Sequence, residues 1–465
     1  MHEDLRARID EVFPGVRADL ERLVRVPSIS LDGPDTPVLR AAADLVVELL
    51  TAAGAPARKL ELPDAPAAVL GEAPGAEGAP TVLLYAHYDV QPPGNLEDWS
   101  SDPFEPVERD GRLYGRAASD DKSGIAAHLA VLRAFGGKPP VNVKVFVEGE
   151  EEIGSPNFAR FLEAFREELW ADTIVIADSE HWRVGQPALT TSLRGLVDCV
   201  VEVRTLEAAV HSGQFGGAVP DALTSLSRLL ATLHDAEGRV AVEGLVGGEA
   251  DPLDLTEAEL REHAGVLDGV ELVGEGSLTA RMWRRPAIAV LAIDAPRIAE
   301  AVNAIVPVAR AKVSLRLAPG DDPPRALAAL TRHLERHAPW EARVRVTPGS
   351  GVAAPFQLDA AGPAYDAFRA AYREAWGLDS VEIGIGGSIP LVADLQVAYP
   401  EASILLTGVG EPTSRIHGPD ESQDLEELRR NCLAEAIALR LLAGDLSSLT
   451  ERTSYQFIST LSPKE

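Results

Sequence analysis

The chain has 465 residues, of which 46% are hydrophobic and 25% are charged, a composition typical of a globular protein. The formal net charge is −29, because 72 acidic residues outnumber 43 lysines and arginines. Such a surface repels phosphates and anionic lipids, so nucleic acid and membranes are excluded as expected partners. The length exceeds what one hydrophobic core usually serves, and two domains are therefore predicted.

The termini and the cysteines indicate a cytoplasmic protein. The stretch MHEDLRARIDEVF lacks the basic-then-apolar order of a signal peptide. The apolar runs are all shorter than the roughly 18 residues needed to span a bilayer. Cys199 and Cys432 lie in apolar segments, which favours two buried thiols over a disulfide.

Helices and apolar strands alternate from residue 1 to residue 185. A helix interrupted near Pro14 and a second helix from about Pro37 to Gly54 precede the apolar run TVLLYAH. A helix that opens near Ser119, the strand VNVKVFVEG, another helix and the strand DTIVIADS follow. This order predicts an α/β catalytic domain with a central mixed sheet flanked by helices.

The pattern changes from residue 186 to residue 350. The long strand SLRGLVDCVVEVRTLE is followed by a helix that Pro220 opens, and AIAVLAID and ARAKVSLRLAPG are strands that bracket a helix including Ile298 to Asn303. The helix PPRALAALTRHLERH and the strand EARVRVTPG close this region. We predict a smaller inserted α+β domain, with the catalytic domain resuming over residues 351–465.

Polar residues follow four of the predicted strand or helix ends, which is where α/β proteins carry their chemistry. They are His87 and Asp89 after TVLLYA, Asp120 and Asp121 in GRAASDDKSG, Glu148, Glu150, Glu151 and Glu152 in VEGEEEIG, and Asp178 after DTIVIA. Each alone has a structural interpretation: a hydrogen-bonded core histidine, helix-capping aspartates, a turn aspartate or a solvated acidic loop.

The four sets together predict a metal site. Divalent cations would remove the repulsion between clustered carboxylates beside a buried strand. Imidazole with carboxylate suits Zn²⁺ or Mn²⁺ better than Ca²⁺. Two cations roughly 3.5–4 Å apart can activate a water and polarise a carbonyl, and one carboxylate must then stay off the metals as a base.

Seven motifs occur in the order of a known family: HYDVQP, GRAASDDKSG, EGEEEIGS, IADS, VHSGQFGG, GGSIP and RIHGPDE. Together they resemble the M20 family of binuclear metallohydrolases over nearly the whole chain, in its carnosinase-like dipeptidase branch. The resemblance implies one metal on His87 and Asp178, a second metal on Glu152 and His417, and Asp120 as the bridge. It also implies Glu151 as the general base, Asp89 as the residue that orients His87, and a cis peptide between Asp120 and Asp121.

The same resemblance implies that the inserted domain is a lid that also forms a homodimer. His211 would reach the partner subunit's active site and stabilise the oxyanion. Arg316, Ser388 and Gly387 match groups that hold the substrate carboxylate, and Asn303 is a candidate for an oxyanion or substrate contact. From the residues alone, a loop histidine is the preferred interpretation of His211, and a solvated strand face is that of Arg316. His181 is close to Asp178 in the sequence and could enter the pocket, but a surface position is predicted for it.

Two positions depart from the family pattern. Ala117 stands where the family commonly has glycine, and Asp420 stands where asparagine is usual.

These observations predict a homodimeric metallopeptidase that cleaves a dipeptide or short peptide with a free carboxylate. Two divalent ions per chain are expected, with Zn²⁺ preferred and Mn²⁺ or Co²⁺ as alternatives. The rival interpretations are an N-acyl-amino-acid deacylase, an inactive binding homologue and an acidic cluster that is merely solvated surface.

Overall fold

A computed structural model of the chain describes residues 2–34, 36–387 and 389–458. Its helices are α1 Glu3–Val24, α2 Pro37–Ala52, α3 Lys122–Ala134, α4 Phe158–Ala164, α5 Ser212–Phe215, α6 Ala222–Ala231, α7 Glu257–Ala264, α8 Leu278–Trp283, α9 Pro323–Arg336, α10 Pro363–Trp376, α11 Pro390–Ala398 and α12 Leu425–Ile458. Over these described residues, no helix is long and apolar enough to cross a membrane.

The strands are as follows: β1 Ala57–Leu60, β2 Ala68–Ala73, β3 Thr81–His87, β4 Val107–Arg109, β5 Arg112–Tyr114, β6 Asn142–Glu148, β7 Thr173–Ile176, β8 Ala188–Leu193, β9 Gly195–Arg204, β10 Val210–His211, β11 Ala287–Asp294, β12 Ala304–Ile305, β13 Val308–Leu317, β14 Arg343–Ala353, β15 Phe356–Gln357, β16 Val381–Ile385, β17 Ser403–Leu406 and β18 Ser422–Asp424.

Contacts divide the chain into two compact units. The first unit comprises Met1–Thr191, Leu358–Ile383 and Leu391–Glu465, and the second comprises Ser192–Gln357 and Gly384–Pro390. The boundaries predicted after residues 185 and 350 stay a prediction.

The first unit is built around a mixed sheet. Its strands run in the order β1-β2-β6-β3-β7-β17-β8. Strand β3 pairs in parallel with β6 and β7, and β17 pairs in parallel with β7, whereas β1, β2 and β8 pair antiparallel with their neighbours. Almost every residue of β3 and β7 is buried. Helices α1, α3, α10 and α12 cover one face of the sheet in an apolar core, and Tyr85 packs on the other side against Phe158 of α4. The predicted mixed sheet flanked by helices is confirmed.

The first two helices test the local predictions. Helix α2 begins at Pro37, and the Thr36 hydroxyl caps it by accepting a hydrogen bond from Leu39 N–H. The predicted interruption near Pro14 is wrong, because α1 continues through that residue. Both Pro14 and Asp10, whose carbonyl loses its intrahelical partner, are exposed, so this part of the helix surface is open to solvent.

The second unit is a four-stranded antiparallel sheet in the order β11-β13-β9-β14. Alternate residues of β9 and β13, such as Val201 and Val313, pack against α6 and α9 in a separate core. This is the predicted smaller α+β fold. The predicted helix over Ile298 to Asn303 is wrong beyond a single 3₁₀ turn at Ile298–Glu300, because the exposed Ile298 and Val302 bury no apolar face.

The two cysteines behave as predicted. Cys199 and Cys432 are both buried and free, one in each core.

Candidate metal centre

The carboxyl ends of parallel strands bring the first set of polar residues together. His87 ends β3, Glu151 lies in a 3₁₀ turn that follows β6, and Asp178 follows β7. Because these strands are parallel neighbours, their ends meet at one edge of the sheet. Ligand atoms of these three residues all lie within 4.8 Å of one another. We call them the strand-end group.

A second set of possible ligand atoms comes from residues in turns and loops. Atoms of Asp120, Glu152 and His417 also lie within 4.8 Å of one another. His417 Nε2 is 2.9 Å from Asp120 Oδ2 and 3.1 Å from Glu152 Oε2. We call these three residues the loop group.

Asp120 connects the two groups. Its Oδ1 lies 3.1 Å from His87 Nε2, while its Oδ2 faces His417. One carboxylate therefore presents one oxygen to each group, which is the arrangement a bridging ligand needs. The peptide bond between Asp120 and Asp121 is cis, as the family resemblance implies.

Asp89 organises this edge of the sheet and is fully buried. Its carboxylate accepts hydrogen bonds from the N–H groups of Glu151 and Glu152, each at 3.1 Å. Its main-chain carbonyl lies 3.0 Å from His87 Nδ1, closer than its carboxylate at 3.4 Å. A proton on Nδ1 leaves Nε2 as the lone-pair donor that faces the site.

Burial and mutual repulsion shift the pKa values of the clustered carboxyls. Burial, and then the nearby carboxylates, raise the pKa of Asp178 to about 7 and hold the pKa of Glu151 well above its usual value. Burial raises the pKa of Asp120, but the facing imidazoles of His417 and His87, when they are protonated at Nε2, outweigh it and leave the pKa lowered. Carboxyls in this state are ionised together only when positive charge compensates them.

The donor set fits two divalent cations. Two imidazoles and four carboxylates in two groups, with a shared aspartate between them, form the mixed nitrogen and oxygen environment that suits Zn²⁺ or Mn²⁺.

The other two glutamates of this segment are structural. Glu148 accepts hydrogen bonds from the hydroxyls of Tyr85 and Ser155, and Glu150 accepts two from Asn157. Both side chains are buried, which contradicts the interpretation of the whole segment as solvated surface.

Sequence reasoning missed the residues that hold the loop group in place. Gln91 Nε2 donates to Glu152 Oε2 at 2.9 Å and to its carbonyl at 3.0 Å, and Gln91 N–H donates to Oε1 at 3.1 Å. A buried pair, Arg116 and Glu421, lies beside Asp120 and His417. All three missed residues lie within the motifs that carry the family resemblance, and their place in those motifs was the one sign in the sequence that they belong to the site.

Histidines outside the site fill structural positions. His128 is buried and lies 2.9 Å from Glu435 and 3.1 Å from the Tyr85 carbonyl, as expected for a core histidine. The surface position predicted for His181 is wrong, because that ring is 1% exposed and packs edge-on against Tyr372 and Trp376.

The remaining predicted residues belong to the second unit. His211 ends β10 and is exposed, and the pairing of β10 with β12 places Asn303 beside it, since Ser212 N–H donates to the Asn303 carbonyl at 3.1 Å. Arg316 lies in β13 with a partly buried side chain, and Gly387 follows β16. Ser388 lies outside the described residues.

The two residues that depart from the family pattern both have a positive φ. Ala117 is buried with a φ of 63°. Asp420 has a φ of 56°, and its carboxylate accepts hydrogen bonds from Ser100 N–H and Oγ at 2.8 and 2.7 Å.

Comparison with known proteins identifies the family of the chain. Residues 83–438 match the model of Peptidase family M20/M25/M40. The chain is 40% identical to the cysteinylglycine-S-conjugate dipeptidase of Corynebacterium striatum, over 77% of this chain and 80% of that protein. It is 28% identical to the Beta-Ala-His dipeptidase of Homo sapiens, over 80% and 76%. The structure of human carnosine dipeptidase 1 superimposes with a TM-score of 0.77 and 24% identity, covering 96% of this chain and 100% of that one.

The fold and the paired ligand groups define a metal-dependent peptide-bond hydrolase. The chain belongs to peptidase family M20/M25/M40, and the relatives named above are dipeptidases. The predicted M20-type metallopeptidase is thereby confirmed, and the dinuclear site fits the family. The deacylase and the inactive homologue are not favoured.

Proposed function

We propose that the chain hydrolyses dipeptides that carry a free carboxylate, with two Zn²⁺ ions per chain. The single observation that carries the proposal is the placement of Asp120, whose two oxygens face His87 and His417 at 3.1 and 2.9 Å. The shared Asp120 carboxylate would provide the bridge, and Glu151 in the adjoining group would provide the base.

Five residues would hold the ions. His87 and Asp178 would bind one ion, Glu152 and His417 the other, and Asp120 both. When bound, such ions polarise a carbonyl and lower the pKa of water.

Glu151 would move the proton in this reaction. Its Oε2 lies 4.0 Å from His87 Nε2, and the Asp89 carboxylate fixes its backbone. A carboxylate held there accepts the proton of the attacking water as the oxygen adds to the scissile carbonyl carbon. It then delivers that proton to the amide nitrogen as the C–N bond breaks, so that the amine leaves neutral.

Recognition of the substrate is assigned to the second unit. Arg316, Gly387 and Ser388 would bind the free carboxylate, with the Arg316 guanidinium as a bidentate donor. Asn303 would contact the substrate or the oxyanion, and His211 of the partner subunit would stabilise the oxyanion. These assignments rest on the family resemblance, and the pairing of β10 with β12 supports a joint role for His211 and Asn303.

A homodimer formed through the second unit is part of the proposal. Strand β11 is an edge strand, and its side chains Val290, Leu291 and Ile293 are 41–59% exposed. An edge strand with exposed apolar side chains is suited to pairing with another copy. Sedimentation would detect the dimer. Leu291→Glu should convert it to monomer, whereas Val397→Glu, on the exposed face of α11, should leave it intact. A cytoplasmic location stays a prediction.

Metal analysis with a substrate panel tests the proposed activity. About two Zn²⁺ per chain and hydrolysis that is lost on chelation and restored by Zn²⁺ would support the proposal. The panel should contain cysteinylglycine S-conjugates and β-Ala-His, because these are the dipeptides in the names of the relatives reported above. N-acetyl and N-succinyl amino acids serve as controls for deacylation. Turnover of the acyl amino acids without dipeptide hydrolysis, or activity independent of metal, would overturn it.

A further inference from the structure

Two buried charged residues connect the segments that carry the loop group. The guanidinium of Arg116 and the carboxylate of Glu421 form an ion pair across 305 positions of the sequence, and each side chain is 1% exposed. Removing two charges from water is costly unless their remaining polar atoms are also satisfied. Arg116 Nη2 and Glu421 Oε1 contact the ligand-bearing segments, whereas Arg116 Nε is buried without a hydrogen-bond partner among the described residues.

Each partner of the pair fixes the backbone of one segment. Glu421 Oε1 accepts hydrogen bonds from Ser119 N–H at 3.2 Å and from Asp120 N–H at 3.1 Å. Arg116 Nη2 donates to the His417 carbonyl at 3.1 Å. The pair therefore sets the position of Asp120 relative to His417.

His417 needs this support more than the other ligands do. Its side chain is 52% exposed, so packing does not hold it, whereas the His87 side chain is fully buried. His417 also has a φ of 65°, and the nearby Arg415 and Asp420 have φ values of 55° and 56°. Non-glycine residues keep such conformations only where surrounding contacts enforce them.

The strand-end group has its own support. His87 ends a buried strand and is held by Asp89, and Asp178 follows another buried strand. Among the described contacts, neither side chain is hydrogen-bonded to Arg116 or Glu421. Asp120, through its Oδ1, links the pair to the strand-end group, and Arg116 Nη2 also donates to the Pro92 carbonyl at 3.3 Å, in the segment that follows His87.

We propose that Arg116 and Glu421 are positioning residues for the loop group. The affinity of the loop group for a cation depends on them more than the affinity of the strand-end group does. The inference rests on the proposed function, because it assumes that both groups bind a divalent cation. If the inference holds, an enzyme that has lost the ion pair keeps one cation and loses the other.

The test compares Glu421→Gln and Arg116→Lys with Glu435→Gln. Glu435 provides the matched control, because it also belongs to a buried ion pair, with His128, and contacts no ligand segment. Each protein is dialysed against graded Zn²⁺ buffers, and bound zinc per chain is measured. Titration of the metal-free proteins with Co²⁺, followed by absorption, resolves the two binding steps. Melting followed by circular dichroism establishes that each variant is folded.

The expected result is a wild-type protein and a Glu435→Gln variant that retain about two zinc ions. In Glu421→Gln and Arg116→Lys, one binding step should weaken by about 10- to 100-fold while the other changes much less. Equal weakening of both steps, or no weakening in folded variants, would overturn the inference. A wild-type protein that binds no divalent cation would instead overturn the proposed function.

Discussion

The strand-end group and the loop group differ in how the fold positions their ligands. His87 and Asp178 end strands of a buried sheet, so the geometry of the sheet places their side chains. Asp120 precedes a helix, and His417 lies on a half-exposed loop. Hydrogen bonds donated by Gln91 and Arg116, and one accepted by Glu421, therefore position that group. One group thus depends on secondary structure and the other on individual side-chain contacts. Substitutions should separate the two.

The largest effect is expected from the adjacent glutamates of the 3₁₀ turn. Glu151→Gln should lower kcat by about 10² to 10⁴, because the proton acceptor is removed, while the zinc content stays unchanged. Glu152→Gln should instead lower the zinc content, because Glu152 is a proposed ligand in the loop group. Steady-state hydrolysis and zinc analysis of both variants would distinguish these roles. The exposed Glu163→Gln is the control, and full activity in Glu151→Gln would contradict the assigned base.

Zinc should stabilise the whole first unit. A cation that binds only the folded chain adds about 2.7 kcal/mol at a hundredfold excess over its Kd. Differential scanning calorimetry with and without Zn²⁺ should therefore show a higher Tm in the metal-loaded protein. His417→Ala should retain part of this increase, and His87→Ala should retain less, because the buried ring contacts the bridging aspartate and the strand-end group. An equal increase in both variants would remove the distinction between the groups.

Gln91 offers a narrower perturbation of the loop group. Gln91→Leu removes two side-chain hydrogen bonds to Glu152 while leaving the ligand itself in place. The weaker of two zinc-binding steps should lose about 10-fold in affinity or more, with kcat at saturating zinc little changed. Competition with a chromogenic chelator measures this affinity. Gln396→Leu, on the exposed side of α11, should bind zinc as the wild type does.

His128 serves as a reference histidine, because it is buried like His87 but contacts the backbone of β3 at Tyr85 and belongs to neither ligand group. Although burial opposes it, the partner Glu435 raises the pKa of His128 in the folded state. A raised pKa stabilises the fold fully below the unfolded value of about 6.5, and this contribution is lost as the pH rises through the folded pKa.

The free energy of unfolding of Glu435→Gln should therefore fall below that of the wild type by about 1.5 kcal/mol more at pH 6 than at pH 10. Urea unfolding of metal-free protein at both pH values measures the difference. A difference that is the same at pH 6 and pH 10 would show that His128 is neutral in the folded chain.

The sequence predicted the strand-end group from its pattern alone. Apolar strands that end at His87 and Asp178 imply that these side chains lie at one edge of the sheet, because the carboxyl ends of parallel strands in α/β proteins generally meet there. Asp120 and Glu152 of the loop group were candidates on the same grounds, whereas His417 followed only from the family motifs, since nothing in local periodicity brings Asp120 close to His417. Gln91, Arg116 and Glu421 were missed, because hydrogen bonds between residues far apart in the chain leave no periodic signal.

The failed local predictions have the same origin. The buried position of His181 depends on Tyr372 and Trp376, which lie nearly 200 residues later. The continuous helix through Pro14 depends on a helix surface that is open to solvent there. In each case the deciding contact is tertiary or solvent-mediated, whereas the sequence pattern is local.

The position of β17 in the sheet has a consequence for biosynthesis. This strand, residues 403–406, lies between β7 and β8, although more than 200 residues separate it from either in the chain. While the ribosome is still making those residues, β7 has an unpaired edge, and such an edge invites pairing with other nascent chains. The catalytic sheet closes only after most of the polypeptide has emerged, so yield in the cell should depend on chaperones that protect this open edge.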